Sequence, residues 1–269
     1  MTDTTGIIVF ADTEPDYIEQ AKLLALTAKK FSGLPTTLVT TEPIEAEEFD
    51  SVIITPEHFT ERGMITAMLA SPYDRTAFIY ADTLVLSNIT QHFDLLDHHD
   101  MIFPFAVDYK NAKLSSDLYN DRKLITKNEL PDLWTNYFLF KKTPTIQEIA
   151  GLMYIVVDHW AEIKESACPA YSEDKDLYII FNILLSIALK LRQQEFRDYG
   201  LTFTHMSKQT NNTENTDLAF KDWFNLLSFW ATDDGHIKAG DYKQTGVWHY
   251  SRAFYSKEFD TSIRKLCSN

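Results

Sequence analysis

Ser71-Pro72-Tyr73-Asp74-Arg75-Thr76-Ala77-Phe78-Ile79-Tyr80-Ala81-Asp82-Thr83-Leu84-Val85 is the stretch whose reading decides the fold. A turn at Ser71-Pro72 leads into Thr76 to Tyr80, a run with the continuous apolar character of a strand buried on both faces. The run delivers Asp82 just outside the sheet, and a second short apolar run, Leu84 to Leu86, continues from it. Open α/β sheets bind ligands beyond the carboxyl ends of their strands. A carboxylate in that place can hold a divalent cation, and the cation can neutralise a diphosphate leaving group. The same Asp, assisted by Thr83, can instead cap a turn, and spacing alone favours the cap.

Toward the N-terminus the pattern alternates strand and helix. Gly6 to Ala11 is an apolar run that ends in the polar loop Asp12 to Asp16. A helix follows with Ile18, Ala21, Leu24, Ala25 and Ala28 on one face, closed by Ser32-Gly33. Thr36 to Thr40 and Ser51 to Ile54 read as strands, and Arg62 to Leu69 as a helix. Such alternation with short connections predicts a mostly parallel central sheet flanked by helices.

Toward the C-terminus, Met101 to Ala106 and Trp134 to Phe140 are strand-like, separated by the polar stretch Lys110 to Asn128, read as a loop or short helical insertion. Two amphipathic helices come next. The first carries Ile146, Ile149, Met153, Val156, Val157 and Trp160. The second carries Leu177, Ile180, Phe181, Leu184, Leu185 and Ala188, with Ser172 as N-cap. Asn211 to Asp217 reads as a loop, and an aromatic-rich segment closes the chain.

Composition narrows the function. The chain carries 25 basic and 39 acidic side chains, for a net charge of −14, which disfavours general binding to phosphate backbones. Two cysteines, Cys168 and Cys267, make no disulfide framework, and no Cys/His spacing matches structural zinc. Neither a leader pattern nor an apolar run of membrane-spanning length stands in the sequence, so a soluble, cytoplasmic protein is expected. No glycine-rich dinucleotide fingerprint follows the first strand, and no P-loop, serine elbow or H-E-x-x-H helix is present. Chemistry is therefore expected on dispersed polar residues at strand ends.

The stretch quoted first resembles that of the GT-A nucleotide-diphospho-sugar glycosyltransferases, of the family 8 kind, where a segment of the form SPYDRTLYLDADTLV ends in the metal-binding Asp-x-Asp motif. Here Tyr80 replaces the first Asp, while Asp82 keeps the second. The resemblance implies one domain over residues 1–269, with a nucleotide-binding half (1–100), an acceptor-side half (101–225) and a C-terminal segment closing the site (226–269). It implies a glycosyltransferase that moves a sugar from a nucleoside diphosphate donor, a uridine one, to a hydroxyl acceptor, with Mn²⁺ or Mg²⁺ on the diphosphate.

The same resemblance assigns residues. Phe10, Ala11 and Asp12 would lie by the base and ribose, with Tyr17 stacking on the base or serving as an ordinary helix-face aromatic. Arg62 would reach the diphosphate or stay a surface Arg, and Tyr80 and Ala81 would border the donor. Asn136 falls where an acceptor-side strand begins and would bond the donor sugar, while Phe138 stands where the family has Gly and would narrow the sugar pocket. Asp174 and Asp176, in the acidic run opening the second long helix, would orient sugar hydroxyls or act as a base; acids there also stabilise a helix N-terminus without any function. Gly246 to Arg252 resembles the late strand whose His completes the metal site, giving His249 to the metal beside Asp82, with His236 as its rival. Lys243, Arg252 and Lys257 would neutralise the departing diphosphate.

Three alternatives stay open. A DNA glycosyltransferase of the kind bacteriophages encode, acting on a 5-hydroxymethylated base, would need a basic groove near Lys110, Lys113, Arg122, Lys123 and Lys127. A nucleotidyltransferase would need a glycine-rich loop after the first strand, which Asp12-Thr13-Glu14-Pro15 is not. A non-catalytic nucleotide-sugar-binding protein of the same fold would explain Tyr80.

Overall fold

The computed structural model describes residues 4–12, 15–57, 60–108, 128–131, 133–167, 177–192, 200–206, 229–232, 236–250 and 255–268. Strands β1 (Thr5–Phe10), β2 (Thr36–Thr40), β3 (Ser51–Ile54) and β4 (Arg75–Ile79) run parallel. Antiparallel β8 (Tyr137–Lys141) joins β4, and β6 (Met101–Ile102) pairs antiparallel with β8. The six-stranded order is β3-β2-β1-β4-β8-β6. This is the mixed α/β architecture with a mainly parallel central sheet that the alternation predicts.

Strand alternation sorts side chains to the two faces. Ile7, Val9, Ala77 and Ile79 pack under helix α1 (Pro15–Ser32) and a 3-10 helix (Thr90–Asp97). Ile8, Phe10, Phe78 and Phe138 pack under α2 (Glu61–Leu69), α3 (Pro144–Asp158) and α5 (Leu177–Arg192). The predicted face of α1 is all buried, and Gly33 ends it in the left-handed conformation (φ 63°), its amide bonding the Lys29 carbonyl. The first amphipathic helix stops before Trp160: α3 closes at His159 and a separate α4 (Trp160–Ala167) begins.

Two other readings are divided by the fold. Met101 to Ala106 splits at Phe103-Pro104 into β6 and β7 (Phe105–Asp108), which belong to different sheets. Proline offers no amide for a ladder, so the strand breaks there. The run Leu84 to Leu86 does not extend β4. It becomes β5 (Thr83–Val85), which joins β13 (Val247–His249), β9 (Thr202–His205) and β7 in a second sheet, ordered β5-β13-β9-β7. Strands β10 (Phe229–Ala231), β11 (Ile237–Ala239) and β12 (Tyr242–Gln244) form a small antiparallel sheet. The last helix, α6 (Lys257–Ser268), buries Phe259, Ile263 and Leu266 in a third core with Leu23 of α1 and Trp248. No helix among the described residues is long and apolar enough to cross a membrane.

Candidate functional site

The turn between β4 and β5 carries Asp82 to the edge where the two larger sheets meet. Antiparallel pairing of β13 with β5 sets His249 opposite Thr83, and the Tyr250 amide donates to the Asp82 carbonyl at 3.0 Å. That register brings the side chains together: Asp82 Oδ1 lies 3.1 Å from His249 Nε2, with the two side chains only 6% and 8% exposed. Parallel pairing of β13 with β9 sets His205 beside His249. Their Nδ1 atoms are 2.8 Å apart, and the ring planes differ by 9°. One of those two nitrogens must carry the proton between them. The Trp134 ring, 4.8 Å from that of His205, walls the pair on one side.

Asn136 enters from the residue before β8. Its carbonyl accepts from the Tyr80 amide at 3.0 Å, and its Nδ2 stands 3.2 Å from His249 Nε2. Asp82, Asn136, His205 and His249 are all buried polar residues. Among the described residues no group of three or more His, Cys, Asp or Glu side chains is placed to hold a metal ion, and Asp82 and His249 stand as a contacting pair.

Tyr80 points elsewhere. Alternation along β4 turns its ring into the core under α2, α3 and α5, and its hydroxyl shares a 2.7 Å hydrogen bond with Thr135 Oγ1. The Thr135 hydroxyl in turn bonds Asn182 Oδ1, which also accepts the Thr135 amide at 3.1 Å. Burial pushes the Tyr80 phenol far above its ordinary range, and the Asp82 charge adds to the shift. Tyr250 is raised for the same two leading reasons, burial and then Asp82. Two buried neutral phenols thus flank a buried carboxylate.

The remaining sequence-predicted residues fall at several places. Phe10 and Ala11 are buried at the end of β1, and Asp12 accepts a 2.7 Å hydrogen bond from the Thr41 hydroxyl. Ala81 is buried beside Asp82, and Tyr17, in the first turn of α1, packs half-buried against the core between that helix and the sheet. Arg62 pairs with Asp158 at 2.6 Å and lies over the Tyr154 ring at 5.2 Å. Lys243 is exposed on β12, opposite Lys238. His236 closes the β10–β11 turn, where its amide and carbonyl bond Thr232. Phe138 does not narrow a sugar pocket: it is fully buried and stacks on Phe78 at 5.1 Å and Phe103 at 5.6 Å. Asp174, Asp176, Arg252 and the basic residues from Lys110 to Lys127 lie outside the described residues, as do Ser172 and the 211–217 loop.

His205, Thr135 and Asn182 were not singled out by sequence. Thr202 to His205 has strand alternation, yet nothing local says that its last residue faces a second His on a strand more than forty residues away.

No protein-family model matches the chain, and no curated protein matches it in sequence. Solved structures match in chain path. The glycosyltransferase GlyE of Streptococcus pneumoniae TIGR4 aligns at 10% identity and a TM-score of 0.47, over 98% of this chain and 60% of that one. Its apo form aligns at 11% identity and a TM-score of 0.49 over the same shares. The chain therefore spans 60% of the length of these structures, and at this similarity the likeness assigns no residue a role and no substrate.

Proposed function

We propose that the chain is a glycosyltransferase that takes a nucleoside diphosphate sugar, most simply a uridine one, and passes the sugar to a hydroxyl acceptor. The observation that carries the reading is the buried contact between Asp82 and His249, 3.1 Å apart at the carboxyl end of β4. A carboxylate and an imidazole at that separation fit two neighbouring ligands of one divalent cation; the carboxylate suits Mn²⁺ or Mg²⁺, and the imidazole favours the softer Mn²⁺. A cation bound there supplies positive charge against a diphosphate leaving group.

The chain's own residues divide the remaining work. Asp82 would hold the cation through a carboxylate that the β5–β13 register keeps in place, and His249 would hold it through Nε2, its ring fixed from behind by His205. Phe10, Ala11 and Asp12, at the end of the neighbouring strand β1, border the space for base and ribose, with Tyr17 on the helix above. Asn136, Asp174 and Asp176 are assigned to the sugar and its acceptor, and Lys243 and Arg252 to the departing diphosphate, by the resemblance in sequence.

One observation favours a second reading. The Tyr80 phenol is committed to Thr135 and leaves the first Asp-x-Asp position without a ligand, as in a protein that binds nucleotide sugars and no longer transfers them. Turnover of the donor separates the two readings.

Thermal unfolding with uridine, guanosine and cytidine diphosphates, each with and without Mn²⁺, tests the site. Binding to the folded state at a hundredfold excess over Kd adds about 2.7 kcal/mol. One nucleotide is expected to raise Tm in a Mn²⁺-dependent way, and Asp82→Ala is expected to abolish that rise. A full shift retained by Asp82→Ala would sink the assignment of the site.

A further inference from the structure

We propose that Asn136, which the resemblance in sequence assigns to the sugar, is instead a third protein ligand of the cation, supplying through its amide oxygen the coordination place that Tyr80 leaves. The proposal rests on the reading of Asp82 and His249 as a cation site. With Tyr80 turned into the core and His205 meeting His249 through Nδ1, across the ring from Nε2, that pair gives two ligands. The side chain that stands beside it is Asn136, 3.2 Å from the same His249 Nε2 that lies 3.1 Å from Asp82.

Those separations are the ones adjacent ligands adopt. Two donors bound at about 2.1 Å to one octahedral cation stand about 3.0 Å apart. The amide presents a nitrogen or an oxygen at the same point depending on a half-turn about its last bond, so the Nδ2 contact marks equally where Oδ1 can sit. With the nitrogen there, His249 Nε2 has two incompatible neighbours: Asp82 calls for a proton on Nε2, and Nδ2 calls for a lone pair. With the oxygen there, Nε2 either donates one proton toward carboxylate and amide together or, in the tautomer protonated at Nδ1, joins them in offering three lone pairs, the donor set a divalent cation takes. His205 supports that state. If the shared proton sits on His249 Nδ1 and is donated to His205 Nδ1, 2.8 Å away, Nε2 is left as the lone pair a metal requires.

The backbone holds Asn136 for the purpose. Its carbonyl bonds the Tyr80 amide, and its neighbour Thr135 takes the Tyr80 hydroxyl on the other side of the chain. The same two residues therefore draw Tyr80 away from the site and set Asn136 into it. A neutral oxygen in place of a carboxylate leaves the site one negative charge poorer than Asp-x-Asp, so the cation should bind weakly until a diphosphate adds its own charge.

The experiment is Mn²⁺ binding, read from the electron paramagnetic resonance of free Mn²⁺, on the full chain with and without uridine diphosphate. Wild type, Asn136→Ala and Asn136→Asp are compared, each with its Tm recorded with and without Mn²⁺. Asn136→Ala is expected to weaken Mn²⁺ binding about tenfold or more. Asn136→Asp is expected to bind Mn²⁺ more tightly than wild type and to gain more in Tm from it, because two buried carboxylates repel until a cation joins them. A residue that only props the strand cannot produce that gain, and the Asp variant carries the test if the Ala variant fails to fold. Wild-type affinity in Asn136→Ala, or no gain in Asn136→Asp while wild type binds, overturns the role of Asn136 alone. No Mn²⁺ binding by wild type or Asn136→Asp under either condition overturns the Asp82–His249 site and this proposal together.

Discussion

At the scale of single residues, Tyr80 separates what a motif says from what a side chain does. It occupies the position of a metal-binding carboxylate, yet alternation along β4 commits its ring to the apolar core and its hydroxyl to Thr135. Tyr80→Phe should therefore cost about 1 kcal/mol of stability, the worth of one buried hydrogen bond, and leave Mn²⁺-dependent nucleotide binding at the wild-type level. Denaturant unfolding and the nucleotide Tm shift measure the two halves, and a lost shift in a stable variant would put the phenol back in the site. The sequence offered Asp82 and His249 as partners only through resemblance, because a lone Asp after a strand and a lone His between aromatics are individually ordinary. His205 and Asn182 had no local signal at all. Their roles come from the β9–β13 register and from helix α5 meeting the start of β8, contacts set by the fold as a whole.

At the scale of elements, the strands and α-helices of the first hundred residues were legible because each writes its own periodicity, whereas the short 3-10 helix Thr90–Asp97 was not read. Errors fall where a partner decides. Leu84 to Leu86 looks like a continuation of β4, but its pairing with β13 makes it a strand of another sheet. Helix α1 showed one apolar face, yet Leu23 on another face is also buried, because α6 returns from the far end of the chain to cover it. Gly6 illustrates the same dependence. Read as part of an apolar run, it proves to be the point where the Tyr73 ring crosses β1 to reach the Thr37 hydroxyl of β2 at 2.8 Å. A Cβ at Gly6 would stand 2.4 Å from that ring, which the Thr37 bond and the packing around it hold in place. Gly6→Ala should destabilise by about 1–3 kcal/mol through overpacking, and Gly6→Ala with Tyr73→Leu should recover part of the loss. Additive effects of the two changes in urea unfolding would show that the ring is not the obstacle.

At the scale of the molecule, three cores and a shared edge explain why the site lies where it does. The central sheet fixes β4 and the start of β8, the second sheet fixes β5, β9 and β13, and Asp82, Asn136 and His249 meet at their junction. Arg264, braced within α6 by Asp260, ties that helix to the rest by ion pairs with Glu19 and Glu48. The acidic balance and the mostly parallel sheet were readable from composition and pattern, whereas this closure of the C-terminal segment on α1 was not, since it depends on three separated charges meeting. The same burial gives the whole fold an alkaline limit. Tyr80, Tyr137 and Tyr250 are buried phenols whose titration is pushed far above the ordinary value, in each case first by loss of water. In the unfolded chain they ionise near pH 10. Above that pH the unfolded state binds fewer protons than the folded state, so the slope of stability with pH is negative. Each phenol should remove about 1 kcal/mol between pH 10 and 11. Urea unfolding across pH 8 to 11 is expected to show a fall that steepens near pH 10, to which Tyr73, Tyr255 and Cys267 also contribute, and Tyr80→Phe is expected to reduce it by about 1 kcal/mol. A flat profile through pH 11 would mean that the phenols reach water in the folded protein and that the core around Asp82 is open.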